Sequence, residues 1–132
     1  MSSVTSALSD VAASLSPDEL TKKVEEIKAA GNERFLKGDY TQAKALYTDA
    51  LSLNPNIVAI YSNRAICELK LEQYGLAIAD ATKAIELDAT FAKAYYRRAC
   101  AHLAILDPKA ALPDLKMVVK LDPRNALSLI HI

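Results

Sequence analysis

The stretch FAKAYYRRACA, residues 91–101, sets Lys93 and Arg97 four residues apart. On a helix that spacing puts both cations on one face, about one turn apart. Cations that face the same way suit an anion, and a carboxylate above all. Other chemistry has little to work with. His102 and His131 are the only histidines, and neither has a Cys or acidic partner at ligand spacing, so no metal site is expected. Cys67 and Cys100 fall within helical patterns and read as reduced thiols packed among apolar neighbours. The three glycines are scattered and none precedes Lys-Ser or Lys-Thr, which excludes a phosphate loop. No nucleophile, base and acid can be assembled into a catalytic set. The chain therefore reads as a binder without cofactors, not as an enzyme.

Composition narrows the partner. The 132 residues carry 16 basic and 16 acidic side chains, so the net charge is zero. A balanced chain offers no field for nucleic acid or a membrane surface, and anion recognition must come from local placement. No apolar run approaches the roughly 20 residues that cross a bilayer. The start, MSSVTSALSD, lacks the basic and apolar regions of a secretory signal. A cytoplasmic home, with the nucleus as a second compartment, is the resulting expectation.

The elements that must position Lys93 and Arg97 are helices. Hydrophobic residues make up 52% of the chain, Gly and Pro are few, and no segment alternates with a period of two. Residues 1–15, rich in Ser and Ala, read as a disordered tail. Ser16-Pro17-Asp18-Glu19 then supplies an N-cap, a first-turn proline and a capping-box glutamate. A helix should run from about Pro17 to Lys37 and end on Gly38 in the left-handed conformation. Further helices are predicted over about 41–53, 57–71, 74–87, 90–106 and 108–121.

The helices repeat. Asn54-Pro55, Asp88-Ala89 and Asp122-Pro123 stand 34 residues apart. The same step links Leu53, Leu87 and Leu121, then Ala43, Ala77 and Ala111, then Gly31, Ala65 and Ala99. Paired helices approach closely only where both carry small residues at the crossing. Self-similarity at this period marks stacked helix pairs.

These residues resemble the tetratricopeptide repeat (TPR) family. Its small, Ala, aromatic, Ala and Pro positions match Gly31, Ala43, Tyr47, Ala50 and Pro55 in the first repeat. The second has Ala65, Ala77, Ala81, Ala84 and Ala89, and the third Ala99, Ala111, Leu115, Val118 and Pro123. The aromatic is thus absent from repeats two and three, and the proline from repeat two. The resemblance implies an all-α fold: three helix-turn-helix repeats, about 24–57, 58–91 and 92–125, wound into a right-handed solenoid over residues 17–126. The capping helix of such arrays would be missing or truncated. Only Ala126 to Ile132 remains for it, with Leu127, Leu129, Ile130 and Ile132 nearly consecutive. Residues 127–132 accordingly read as a truncated or non-native tail of a fragment.

In such a solenoid the first helix of each pair lines the concave side. The second, fifth, sixth and ninth positions of each repeat share one helical face. They bring Lys28 and Asn32, then Asn63, then Lys93 and Arg97 to one surface, with Ile66, Leu69 and Tyr96 as apolar neighbours. Lys and Arg supply donors only and Asn adds one acceptor. Two adjacent carboxylates, such as those of a terminal Asp, fit that set. All five polar positions match the carboxylate-clamp subclass of the family, which implies binding of the Glu-Glu-Val-Asp tails of heat-shock protein 90 and heat-shock protein 70 class chaperones by a monomeric, co-chaperone-like module. Micromolar affinity that weakens with salt is expected, since about five charge-assisted bonds are offset by ordering a flexible tail. Tyr95 is expected in the core, and Arg64 and Arg98 in solvent or on nearby acids.

Two other readings stand beside this one. YSNRA, AIELD and KAYYRRA are most like the TPR domain that precedes a metal-dependent serine/threonine phosphatase, so this chain could target and autoinhibit such an enzyme. A general TPR scaffold is the other.

Overall fold

A computed structural model describes residues 10–130. Residues 10–14 form a short helical segment. Seven longer helices follow: α1 (Pro17–Leu36), α2 (Tyr40–Leu53), α3 (Val58–Lys70), α4 (Tyr74–Leu87), α5 (Ala92–Ala104), α6 (Pro108–Leu121) and α7 (Pro123–Ile130). There is no strand among the described residues. Each helix packs on the next, and α3 also touches α5, so the pairs stack in chain order.

Local chemistry sets the ends. Ser16 Oγ accepts from the Glu19 amide at 3.2 Å while the Glu19 carboxylate accepts from the Ser16 amide at 3.1 Å, the reciprocal box expected. Asp39 and Asp107 cap α2 and α6 one way only, their carboxylates accepting from the Gln42 and Ala110 amides. Between the helices of each pair the chain turns through a left-handed residue: Gly38 at φ 79°, Glu72 at 60° and Leu106 at 62°. These three are also 34 apart. The following amide reaches back to the helix, Asp39 to Arg34 O at 2.9 Å, Gln73 to Glu68 O at 2.7 Å and Asp107 to His102 O at 2.8 Å. The left-handed turn at Leu106 is why α5 stops at Ala104 and not at residue 106.

The core follows the repeat. Gly31, Ala65 and Ala99 are buried, and Ala43, Ala77 and Ala111 are fully so, where paired helices cross. The largest cluster runs through Val24, Tyr47, Leu51, Leu53, Ile60, Tyr61 and Cys67. A small one joins Ala65 and Ala77 to Ala101 of α5, and another joins Tyr95, Val118 and Ala126.

Short helical segments lie at both ends. Residues 10–14 are helical within the span read as a tail, because Ala12 packs on the first cluster and the Ser14 hydroxyl donates to Val11 O at 2.8 Å. Residues 1–9 lie outside the described residues. Beyond Leu121 the chain turns at Asp122 into α7, whose Ala126 is buried against Tyr95 and Val118. Residues 127–130 continue that helix, and 131–132 lie outside the described residues.

Candidate functional site

Two cavities open along the first helices of the pairs. One, of about 120 Å³, is lined by Lys93, Tyr96 and Arg97 of α5 with Val118, Asp122 and Asn125. The other, of about 180 Å³, is lined by Asn32, Phe35, Leu36, Tyr47, Asn63 and Ile66. Four of the five polar residues read from the sequence thus line cavities. Lys28 is half-buried on α1, one turn before Asn32, and lines neither.

The α5 cavity carries two cations, Lys93 and Arg97, and one carboxylate, Asp122. Among the described residues no carboxylate lies within 4 Å of Lys28, Lys93 or Arg97, whereas Arg64 and Arg98, on the same helices as Asn63 and Arg97, are paired. Arg97 Nε is buried without a hydrogen-bond partner, and burial holds the guanidinium below its ordinary pKa. Its planar group lies 5.3 Å from the centre of the Tyr96 ring. Burial and the neighbouring Cys100 thiol push the Tyr96 phenol up. With no carboxylate within 4 Å of it, the Arg97 guanidinium suits an anionic acceptor.

The second cavity is built around an amide pair. Asn32 Oδ1 accepts from the Tyr47 hydroxyl at 2.5 Å and from Asn63 Nδ2 at 3.5 Å. That use of the oxygen turns the Asn32 amide nitrogen, a pure donor, toward other partners. Tyr47 is 1% exposed, and burial raises its phenol to about 12, so it stays a donor. Phe35, Leu36 and Ile66 give this cavity its apolar walls.

Other residues fall elsewhere. Leu69 packs with Tyr74 and Ile78 against Ala65, Ala77 and Ala101, between repeats, and lines neither cavity. Tyr95 is buried, and Tyr96 is half-buried at the cavity wall. Ser62, on the predicted groove face, is buried with its Oγ unpartnered. Cys67 and Cys100 are free thiols, and burial pushes Cys67 up to about 11. Tyr47, Asp122 and Asn125 were not singled out from the sequence as lining residues. Asp122 reads there only as a helix stop, and Tyr47 only as a repeat aromatic.

The fold has known counterparts. The tetratricopeptide repeat family model matches residues 29–57 and 58–91. The TPR2B domain of yeast Sti1, solved as a complex with pHsp70, is 39% identical at a TM-score of 0.74, covering 76% of this chain and 81% of that one. This chain belongs to the tetratricopeptide repeat family. The first TPR of Spaghetti (RPAP3), solved bound to the HSP90 peptide SRMEEVD, is 28% identical at a TM-score of 0.78, over 83% of this chain and 91% of that one. Human serine/threonine-protein phosphatase 5 is 43% identical over 108 residues, which is 82% of this chain and 22% of the phosphatase. The chain thus spans about a fifth of that relative's length. No helix among the described residues is long and apolar enough to cross a membrane.

Proposed function

We propose that this TPR chain is a co-chaperone-type binding module that takes the acidic C-terminal tails of heat-shock protein 90 and 70 class chaperones. The observation that carries the reading is the α5 cavity. There Lys93 and Arg97 line one cavity without a carboxylate partner within 4 Å. Lys28, Asn32 and Asn63 would hold the second carboxylate of a terminal Asp. Phe35, Leu36 and Ile66 offer an apolar wall for the side chain before it. Support also comes from the Sti1 and RPAP3 domains, each solved with a chaperone peptide.

The test is titration with a peptide ending in Glu-Glu-Val-Asp. Amidation of its terminus, Lys93→Ala and Arg97→Ala should each weaken binding about tenfold, the loss of about 1.4 kcal/mol expected for one charge-assisted bond. Equal binding by parent, variants and amidated peptide would sink the reading.

A second reading concerns the protein to which such a module belongs. The 43% identity to phosphatase 5 favours a serine/threonine phosphatase whose catalytic part lies outside these residues, in the cytoplasm or nucleus. The complete reading frame decides this: absence of metal-binding Asp/His motifs after the repeats would remove it.

A further inference from the structure

Two arginines beside the groove residues repeat with all their partners. Arg64 Nε donates to Asp80 Oδ2 at 2.7 Å, Nη2 to Asp80 Oδ1 at 2.6 Å and Nη1 to Thr48 Oγ1 at 3.2 Å. Thirty-four residues on, Arg98 Nε donates to Asp114 Oδ2 at 2.8 Å, Nη2 to Asp114 Oδ1 at 2.7 Å and Nη1 to Thr82 Oγ1 at 3.2 Å. Each guanidinium also lies near a tyrosine ring, at 5.7 Å from Tyr61 and 5.9 Å from Tyr95. Those hydroxyls donate at 2.8 Å to the carbonyls of Pro55 and Ala89, which precede the helix. One arginine therefore ties α2, α3 and α4 together, and the other ties α4, α5 and α6. Asp80 and Asp114 are buried, so both bonds of each fork are shielded from water.

The residue just before each arginine is a groove residue, Asn63 or Arg97. Successive helical residues are turned by about 100°. Holding Arg64 against α4 therefore fixes where Asn63 points, and holding Arg98 against α6 fixes Arg97. In the first repeat the matching places are Ala30 and Leu46, with no such fork. There the Tyr47 to Asn32 bond ties α1 to α2 instead. We propose that Arg64 with Asp80, and Arg98 with Asp114, are positioning pairs for the peptide groove, each setting the roll of its helix and through it the direction of Asn63 or Arg97. This rests on the chaperone-tail reading above.

The decisive variant removes the fork without leaving a buried charge. Replacing a buried ion pair by apolar residues of similar volume is often neutral for stability, so Arg98→Met combined with Asp114→Leu should keep helicity and the urea midpoint. Binding of the free-acid Glu-Glu-Val-Asp peptide is measured in four chains: parent, this double variant, Arg97→Ala, and all three changes together. The pair acting through Arg97 predicts a loss of about fivefold in the parent background and under twofold in the Arg97→Ala background. A loss of the same size in both backgrounds, or none in the parent, overturns the proposal, because a purely structural effect is blind to Arg97. If Arg97→Ala alone has no effect, the groove reading falls and the positioning role with it. Should the double variant unfold, the isosteric Asp114→Asn goes through the same cycle and must show the same dependence on Arg97.

Discussion

The hydroxyl of Tyr47 on α2 donates to the side-chain oxygen of Asn32 on α1, at 2.5 Å, and so couples a core aromatic to a groove amide. Tyr47→Phe keeps the ring and removes only that donor. Asn32 would then retain only the long 3.5 Å contact from Asn63. Loss of one buried hydrogen bond costs about 1 kcal/mol. Thermal unfolding should fall by about 4 °C. Peptide affinity should drop as well, because the Asn32 amide is free to flip its nitrogen away from the groove.

Gly31 faces the same ring. A Cβ at Gly31 would sit 2.8 Å from Tyr47 Cε1 and 3.0 Å from Cδ1. The ring is fully enclosed and held at its far end by Asn32, so it cannot swing aside. Alanine is the better helix former by about 1 kcal/mol, yet overpacking a core costs about 1–3 kcal/mol. Gly31→Ala should therefore destabilise by about 1 kcal/mol in urea unfolding. The third repeat shows the compensating pair, Ala99 with Leu115 at the matching places. In a Tyr47→Leu background Gly31→Ala should become neutral or stabilising, and a penalty that persists there would refute the steric account.

Leu106 adopts φ 62° with 88% of its surface exposed, at the place where the first repeat has Gly38. A left-handed non-glycine residue costs about 1–2 kcal/mol. Glycine removes that strain and gives back about 0.4–1 kcal/mol through the freer unfolded chain. Leu106→Gly should thus raise stability by about 0.5–1 kcal/mol, read as a higher urea midpoint with an unchanged slope.

That turn also marks how far the sequence reaches. The 34-residue step of Asn54, Asp88 and Asp122 set the three pairs, and the predicted bounds of 74–87 and 108–121 match α4 and α6 to the residue. Gly38 announced its turn because only glycine takes positive φ freely. Glu72 and Leu106 did not, since the backbone bonds that close each hairpin, Gln73 to Glu68 O and Asp107 to His102 O, and not residue type hold them there. The 34-residue register places Asn32, Asn63, Lys93 and Arg97 on the first helices of the pairs, where they line the two cavities, whereas Lys28 lines neither. The supports of Asn63 and Arg97 were not legible. Asp80 and Asp114 lie 16 residues from their arginines, on the second helix of the hairpin, and only the crossing of two helices brings the forks together. Leu69 shows the same limit: one face of α3 meets the groove and the next meets α5, and the boundary between them depends on how the repeats stack.

Glu68 carries the last prediction. It is 2% exposed, its Oε1 has no hydrogen-bond partner, and Lys44 Nζ lies 3.4 Å from Oε2. Burial first, and then the Asp80 carboxylate beside it, push its pKa up to about 8, against the offsetting charges of Lys44 and Arg64. The folded chain therefore holds a proton that the unfolded chain releases near the ordinary value of 4.5. Between those two values the folded state binds more protons, so its stability falls as pH rises and levels off above about 8. Glu68→Gln cannot ionise. Its unfolding temperature should match the parent near pH 5 and exceed it at pH 8, and the difference between the two chains should grow steadily across that interval. A difference that stays constant with pH would show that Glu68 is already ionised in the folded protein.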